Sequence, residues 1–246
     1  MKLTGNTILI TGGTSGIGKG FAQHFLGLGN TVIICGRRKD RLEQLKARNP
    51  GLATFQCDLT DAASRENLVR HVIQECPDLN ILINNAGIQL TADLAKPVDL
   101  AAVEQEIATN LIAPLHLSSL LVEQLRARPE PCIVNISSGL AYTPLAFMPV
   151  YCATKAAVHS WSLSLRKQLE KTGIAVYEIA PPSVDTELGH ERREDKSQTH
   201  GGMPVNEFIS EALKALENNV LQAAIGPAAS MMDQRDALFE RLNSHL

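Results

Sequence analysis

Seven short strand-forming runs recur along the chain: Thr7–Thr11, Thr31–Cys35, Thr54–Cys57, Ile81–Asn84, Cys132–Ser137, Ala175–Ala180 and Ala223–Ile225. Several are continuously apolar rather than alternating, the pattern of strands covered on both faces. Between them lie segments of helical period at Ile17–Leu28, Arg41–Arg48, Ser64–Glu75, Leu100–Leu125, Tyr151–Lys171 and Asn206–Asn218. Parallel strands need crossovers, crossovers are right-handed, and the helices that make them cover both faces of the sheet. The expectation is α/β: one doubly wound domain over residues 1–246, with a mostly parallel seven-stranded sheet. No repeat, low-complexity tract or Pro/Gly linker divides it.

The charge balance bears on partners. The chain has a net charge of −3 with both signs interspersed, which gives no electrostatic footprint for nucleic acid or an anionic membrane. No apolar stretch approaches the roughly 18 residues of a membrane span, and the run after Met1 lacks the features of a signal peptide. The five cysteines, Cys35, Cys57, Cys76, Cys132 and Cys152, show no Cys-x-x-Cys spacing, so neither a disulfide framework nor a metal site is expected. These features fit a cytoplasmic protein that acts on a small molecule.

The first strand runs into Thr11-Gly12-Gly13-Thr14-Ser15-Gly16-Ile17-Gly18, and a helix follows. Glycines there permit a tight turn and close backbone approach to a pyrophosphate resting on the helix N-terminus. The second strand ends in Gly36-Arg37-Arg38, with no acid between Gly20 and Lys39. An Asp or Glu at that point would bind the ribose 2′-hydroxyl of NAD(H), whereas guanidinium groups suit a 2′-phosphate. NADP(H) is therefore expected over NAD(H), with Arg37 and Arg38 as the selecting residues.

After the fifth run come Ser137 and Ser138, and further on Tyr151 and Lys155. Tyr151 and Lys155 are one helical turn apart and share a face. A phenol titrates near 10 when unperturbed, too high for a base near neutrality, and a neighbouring ammonium favours its phenolate. Ser138 is a candidate donor to a carbonyl oxygen on which charge develops.

Thr11–Gly18, Asn84-Asn85-Ala86-Gly87, Asn110, Ser138 and Tyr151-Cys152-Ala153-Thr154-Lys155 together resemble the short-chain dehydrogenase/reductase family, in its order and spacing. The resemblance runs from about residue 2 to 186 and implies a Rossmann-type fold. It implies Tyr151 as general acid/base, Lys155 on the nicotinamide ribose, Ser138 orienting the substrate and Asn110 supporting a proton relay through water. It also implies Asp58 and Leu59 at the adenine, Asn85, Ala86 and Gly87 at its ribose, and Pro181, Val184 and Thr186 on the nicotinamide side. Gly12, Thr14, Ser15, Gly16, Ile17 and Gly18 would form the phosphate turn. The family's usual Pro-Gly after the sixth strand is Pro181-Pro182 here, and the C-terminal stretch 237–243 is charged and helical in pattern. Both features resemble a bacterial subgroup of DltE-like oxidoreductases. That ending replaces the family's Gly-rich one, so a homodimer and a homotetramer are both compatible with it.

Residues 187–203 are dense in charge and form the start of a stretch, 187–219, read as a substrate-loop or lid insertion; His190 and His200 within it could meet substrate. His24, His71, His116 and His159 lie on helical segments without ligand spacing and read as partnered or surface residues. The segment between Ser138 and Tyr151 carries Leu140, Leu145, Phe147 and Met148 and no charge, which suits an apolar carbonyl substrate. The function expected is hydride transfer between nicotinamide and a carbonyl/secondary alcohol pair. The alternative is a nucleotide-sensing regulator of the same fold, against which the Ser138/Tyr151/Lys155 set argues, since a sensor needs no acid/base pair.

Overall fold

The structure, a computed structural model, describes residues 1–189 and 201–234. Its strands are β1 (Thr7–Thr11), β2 (Thr31–Gly36), β3 (Leu52–Gln56), β4 (Ile81–Asn84), β5 (Cys132–Ile136), β6 (Ala175–Ala180) and β7 (Gln222–Ala224). The helices are α1 (Gly16–Gly27), α2 (Lys39–Arg48), α3 (Ala62–Glu75), α4 (Leu100–Ile107), α5 (Ala113–Arg126), α6 (Pro149–Leu169), α7 (Val205–Glu217) and α8 (Ala228–Gln234). The seven strands form one sheet in the order β3-β2-β1-β4-β5-β6-β7, and all its pairings are parallel. This is the doubly wound Rossmann-type architecture. Each strand run was legible; the ends shifted by one or two residues at β2, β3, β5 and β7.

Strand parity sorts the core into two layers. Ile8, Ile10, Val32, Ile34, Ile81 and Ile83 face α1 and α7, where Phe21, Phe25 and Phe208 fill the space. Leu9, Ile33, Leu82, Ile133 and Val176 face α3, α5 and α6, against Leu68, Leu117 and Leu165. Gly20 lets α1 and α7 approach, because a Cβ there would lie 2.9 Å from the side chains of Val205 and Ile209. The stretch 187–219 therefore contains a core helix from Val205 onward, while 190–200 lies outside the described residues.

The expected single helix over Leu100–Leu125 is interrupted. Residues Ala108–Ile112 form one wider π turn between α4 and α5. Asn110 sits in it, and its side chain replaces regular helical geometry with bonds to another segment: Oδ1 accepts from Ile88 N at 2.9 Å and Nδ2 donates to Ile88 O at 2.9 Å. Single-turn π bulges are invisible to a 3.6-residue periodicity.

On the layer facing α5 and α6, one register row is polar across four strands: Asn84, Asn135, Glu178 and Gln222. Asn84 Nδ2 donates to Ser118 Oγ at 3.1 Å and to Asn135 Oδ1 at 2.9 Å; Asn135 Nδ2 donates to Ser162 Oγ at 2.9 Å. Glu178 is fully buried. Its Oε1 accepts from Ser137 Oγ at 2.6 Å and Tyr142 OH at 3.2 Å, and its Oε2 lies 2.8 Å from His159 Nδ1. Gln222 Nε2 donates to Tyr142 OH at 3.2 Å. The row ties α5, α6 and the segment after β5 to the sheet.

Glu178→Ala strands two buried hydroxyls, Ser137 and Tyr142, and the partly buried His159, a loss of about 2–3 kcal/mol. Thermal unfolding should show a melting temperature lower by roughly 5–10 °C, and a variant that melts with wild type would show the row to be energetically idle.

Candidate active site

The strand order reverses between β1 and β4, because the chain moves outward through β2 and β3 and returns to the other side of β1. Ligands of such sheets bind in the crevice beyond the carboxyl ends of the strands at that switch. The Gly-rich turn follows β1 there, and Asn85-Ala86-Gly87 follows β4. Thr11 Oγ1 accepts from Asn85 N and Ala86 N, each at 3.0 Å, and Asn85 Nδ2 donates to Thr11 O at 2.8 Å. Gly12 has φ +68°, and a Cβ on it would fall 2.9 Å from Ala86 Cα. A Cβ on Gly18 would fall 2.5 Å from Gly12 O. Both positions therefore require glycine to seat the turn against the end of β4, quite apart from any ligand. Gly16 (φ +52°) packs on Thr186 from the loop after β6, and Ile17 is partly buried behind it.

At the end of β2, Arg38 Nη2 donates to Thr14 Oγ1 at 2.9 Å and Ser15 Oγ at 3.0 Å. Arg37 is exposed beside Asp58. Asp58 Oδ1 accepts from Thr60 N at 2.9 Å and Thr60 Oγ1 at 2.8 Å. The Thr60 backbone bond, with the Thr60 hydroxyl and Arg37 adding to it, holds the Asp58 carboxyl below its ordinary range against a smaller effect of burial. Leu59 is buried, and its carbonyl accepts from Arg65 Nη1 at 2.5 Å. Arg41, one turn into α2, was not anticipated and joins this basic cluster. Both oxygens of Glu187 lie within 2.8 Å of Arg41 Nη1. Its only signal was the i+3 spacing from Arg38.

The second half of the crevice carries Ser138, Tyr151, Lys155 and Asn110, all buried. Ser138 leaves β5 extended, and its Oγ accepts from Leu140 N at 3.1 Å, which leaves the hydroxyl hydrogen for another acceptor. Gly139 N donates to Pro181 O at 2.8 Å, so the loops after β5 and β6 are joined. Tyr151 lies in the first turn of α6, and Lys155 follows on the same face with Nζ 5.7 Å from the Tyr151 ring centroid. Lys155 Nζ donates to Ile136 O at 2.8 Å. Burial pushes the Lys155 ammonium down to about 8. Gly87 stands opposite: a Cβ there would come 3.4 Å from Asn110 Oδ1 and 3.7 Å from Lys155 Nζ. Asn110 Nδ2 also donates to Thr154 Oγ1 at 3.2 Å, and Thr154 Oγ1 donates to Tyr151 O at 2.7 Å. Asn110 thus braces the first turn of α6 against the segment after β4 at Ile88.

Val184 is buried and bridges Met203, closing the base of the loop after β6. Leu140, Leu145 and Phe147 pack on Met148, Tyr151 and Cys152, so the apolar wall does border Tyr151. His116 Nδ1 accepts from Arg65 Nε at 3.0 Å, and His71 Nδ1 meets Asn67 O at 2.7 Å. His159 is partnered too, but by the buried Glu178, and this partly buried pair between α6 and β6 was not foreseen. Glu106 was also missed. It is buried, its Oε1 accepts from Leu90 N at 2.9 Å, and burial raises its pKa despite that bond. His190 and His200 lie outside the described residues, as does 237–243.

With the geometry in place, comparison with known proteins gives the class. The short chain dehydrogenase family model matches residues 6–197. The chain is 44% identical over 249 residues to the uncharacterized oxidoreductase DltE of Bacillus subtilis (strain 168), covering 99% of each. It is 33% identical to the NADP-dependent 3-hydroxy acid dehydrogenase YdfG of Salmonella typhi, over 72% of each chain. A short-chain dehydrogenase from Sphingobium yanoikuyae in complex with NADPH superposes with a TM-score of 0.83 at 28% identity, over 98% of this chain and 96% of the other. The chain therefore belongs to the short-chain dehydrogenase family and is an oxidoreductase of CH–OH groups that uses a nicotinamide cofactor. Within the family it falls in the DltE-like subgroup.

Burial of Lys155 has a pH signature. The unfolded chain holds this proton to about 10.5 and the folded chain releases it near 8, so over that window the unfolded state binds more protons and stability rises with pH. Urea midpoints at pH 7 and pH 10 should show wild type gaining on the order of 2–3 kcal/mol relative to Lys155→Met. Parallel behaviour of the two proteins would mean that the ammonium is solvated.

Proposed function

We propose that the protein is an NADP(H)-dependent oxidoreductase that interconverts a carbonyl compound and a secondary alcohol, with Tyr151 as general acid and base. The observation that carries this reading is the buried Ser138/Tyr151/Lys155 cluster at the carboxyl end of the sheet, with an ammonium held 5.7 Å from the phenol ring.

The residues present fit the cofactor. Lys155 makes one bond to a carbonyl among the described residues, and an ammonium has three donors. Gly87 leaves open the space beside it that a Cβ would fill. In the binding assignment, Gly12, Thr14, Ser15, Gly16, Ile17 and Gly18 hold the pyrophosphate, Arg37 and Arg38 the 2′-phosphate, and Asp58 and Leu59 the adenine. Asn85, Ala86 and Gly87 flank the adenine ribose, Lys155 with Tyr151 the nicotinamide ribose, and Pro181, Val184 and Thr186 the carboxamide. A bound nicotinamide supplies the hydride in reduction and accepts it in oxidation.

The protein supplies orientation and the proton. Ser138 donates its hydroxyl hydrogen to the substrate oxygen and stabilises charge that develops there. Tyr151 delivers its phenolic proton to that oxygen in reduction and takes it back in oxidation. The Lys155 charge favours the phenolate form, which lowers the cost of the proton leaving Tyr151. Asn110, through Ile88 and Thr154, keeps the turn of α6 in place. Leu140, Leu145 and Phe147 exclude water from one side of this chemistry and favour a hydrophobic carbonyl over a free sugar. The NADPH complex of the Sphingobium enzyme and the NADP dependence of YdfG support the cofactor assignment.

NADPH consumption across ketones, aldehydes, quinones and sugars tests the reading, and apolar ketones should be turned over fastest. Tyr151→Phe should lower kcat by about 10²–10⁴-fold and leave NADP(H) affinity within a few-fold of wild type by calorimetry. Near-normal kcat in that variant removes Tyr151 as the acid/base; no consumption with any substrate class favours the nucleotide-sensing alternative.

Calorimetry also checks cofactor choice. NADP⁺ should bind more tightly than NAD⁺, and Arg37→Ala should weaken NADP⁺ roughly tenfold, the worth of one charge-assisted hydrogen bond. Equal affinity for both cofactors, unchanged by the substitution, would refute the assignment.

A further inference from the structure

The end of β2 lacks the acid that would mark an NAD(H) site, yet a carboxylate reaches its arginines from elsewhere. Glu187 follows Thr186 in the loop after β6, 149 residues from Arg38 in sequence. Its oxygens lie 2.8 and 2.6 Å from Arg41 Nη1, and Oε2 lies 3.2 Å from Arg38 Nη1. The other arm of Arg38 donates to the Thr14 and Ser15 hydroxyls of the Gly-rich turn. One anion therefore bridges two guanidinium groups directly over the phosphate turn. A phosphate monoester presents the same acceptors, oxygens at hydrogen-bond distance from planar donor forks, with more charge.

We propose that Glu187 is a specificity-determining residue: an internal carboxylate that competes with the cofactor's 2′-phosphate for Arg38 and Arg41 and so sets how strongly NADP(H) is preferred over NAD(H). The inference rests on the NADP(H) reading above. Three features support it. The Glu187 side chain and both arginines are between a third and a half exposed, so the pairs are weak enough for a dianion to displace. Burial alone would raise the Glu187 pKa, but the hydrogen bonds and charges of Arg41 and Arg38 outweigh it and keep the competitor ionised through neutrality. The exchange is also selective, because NAD(H) brings no second anion to that fork and leaves the Glu187 pairs intact.

Adenosine 2′,5′-bisphosphate, ADP, NADP⁺ and NAD⁺ serve as probes in calorimetric titrations of wild type and Glu187→Gln. The variant should bind the two 2′-phosphorylated probes roughly threefold to tenfold more tightly, the range for a competitor paired at this exposure. ADP and NAD⁺ should stay within about twofold. In an Arg38→Ala/Arg41→Ala background the same substitution should change nothing. A thermal melt of Glu187→Gln confirms folding, which a substitution at an exposed position leaves intact. If wild type shows no discrimination for the 2′-phosphate, the NADP(H) reading fails and this inference with it. If wild type discriminates but Glu187→Gln binds the 2′-phosphorylated probes no more tightly, or tightens all four probes alike, the competition is refuted while the NADP(H) reading stands.

Discussion

A polar side chain buried in an apolar layer must find partners or lose the hydrogen bonds that water gave it. The row from Asn84 through Asn135 and Glu178 to Gln222 meets most of that requirement collectively, across four strands, with Asn84 Oδ1 the exception that finds no partner among the described residues, and the crevice is built on it. Glu178 holds Ser137, the neighbour of Ser138, and His159, one turn beyond Lys155. The two segments bearing the candidate catalytic groups are thereby fastened to one carboxylate on β6. A purely apolar row would hold α6 by interdigitated packing alone, without directed contacts to the sheet. Hydrogen bonds fix direction as well as distance.

Electrostatics divides the crevice into two halves of different character. Around Lys155 the charge is buried, and burial makes the ammonium easier to deprotonate than in water. Around Arg37, Arg38 and Arg41 the charges are solvated, and acids from two loops, Asp58 and Glu187, attend them. A buried half suits proton movement, in which small changes in charge carry large energies. A wet half suits recognition of a highly charged group that must also be released.

The fold was legible because the parallel sheet writes itself in apolar runs. Ile8–Ile10, Val32–Cys35 and Ile81–Ile83 are buried on both faces, which favours unbroken apolar runs wherever no polar partner is at hand. The Ser138, Tyr151 and Lys155 positions were legible because local spacing fixes their shared geometry: one helical turn separates the last two, and both loops end at the same sheet edge. Glu178, Arg41 and Glu187 were not legible, for a common reason. Each acts through a partner distant in sequence, and nothing in a single charged residue announces which strand or loop it will meet. The π turn escaped because a five-residue widening leaves the apolar periodicity on either side nearly unchanged.

That turn also governs how the chain tolerates changes in length. A π turn holds one residue more than regular helix requires, so α4 and α5 need not share a common phase. Removing one residue from Ala108–Ile112 would regularise the helix and rotate everything on one side of it by about 100° relative to the other. Asn110 would swing away from Ile88, or Leu117 and Leu121 would leave the sheet. Both cannot be kept. This short span is therefore among the places in the sequence least able to lose a residue, although any one of its side chains taken alone would pass for part of an ordinary helix.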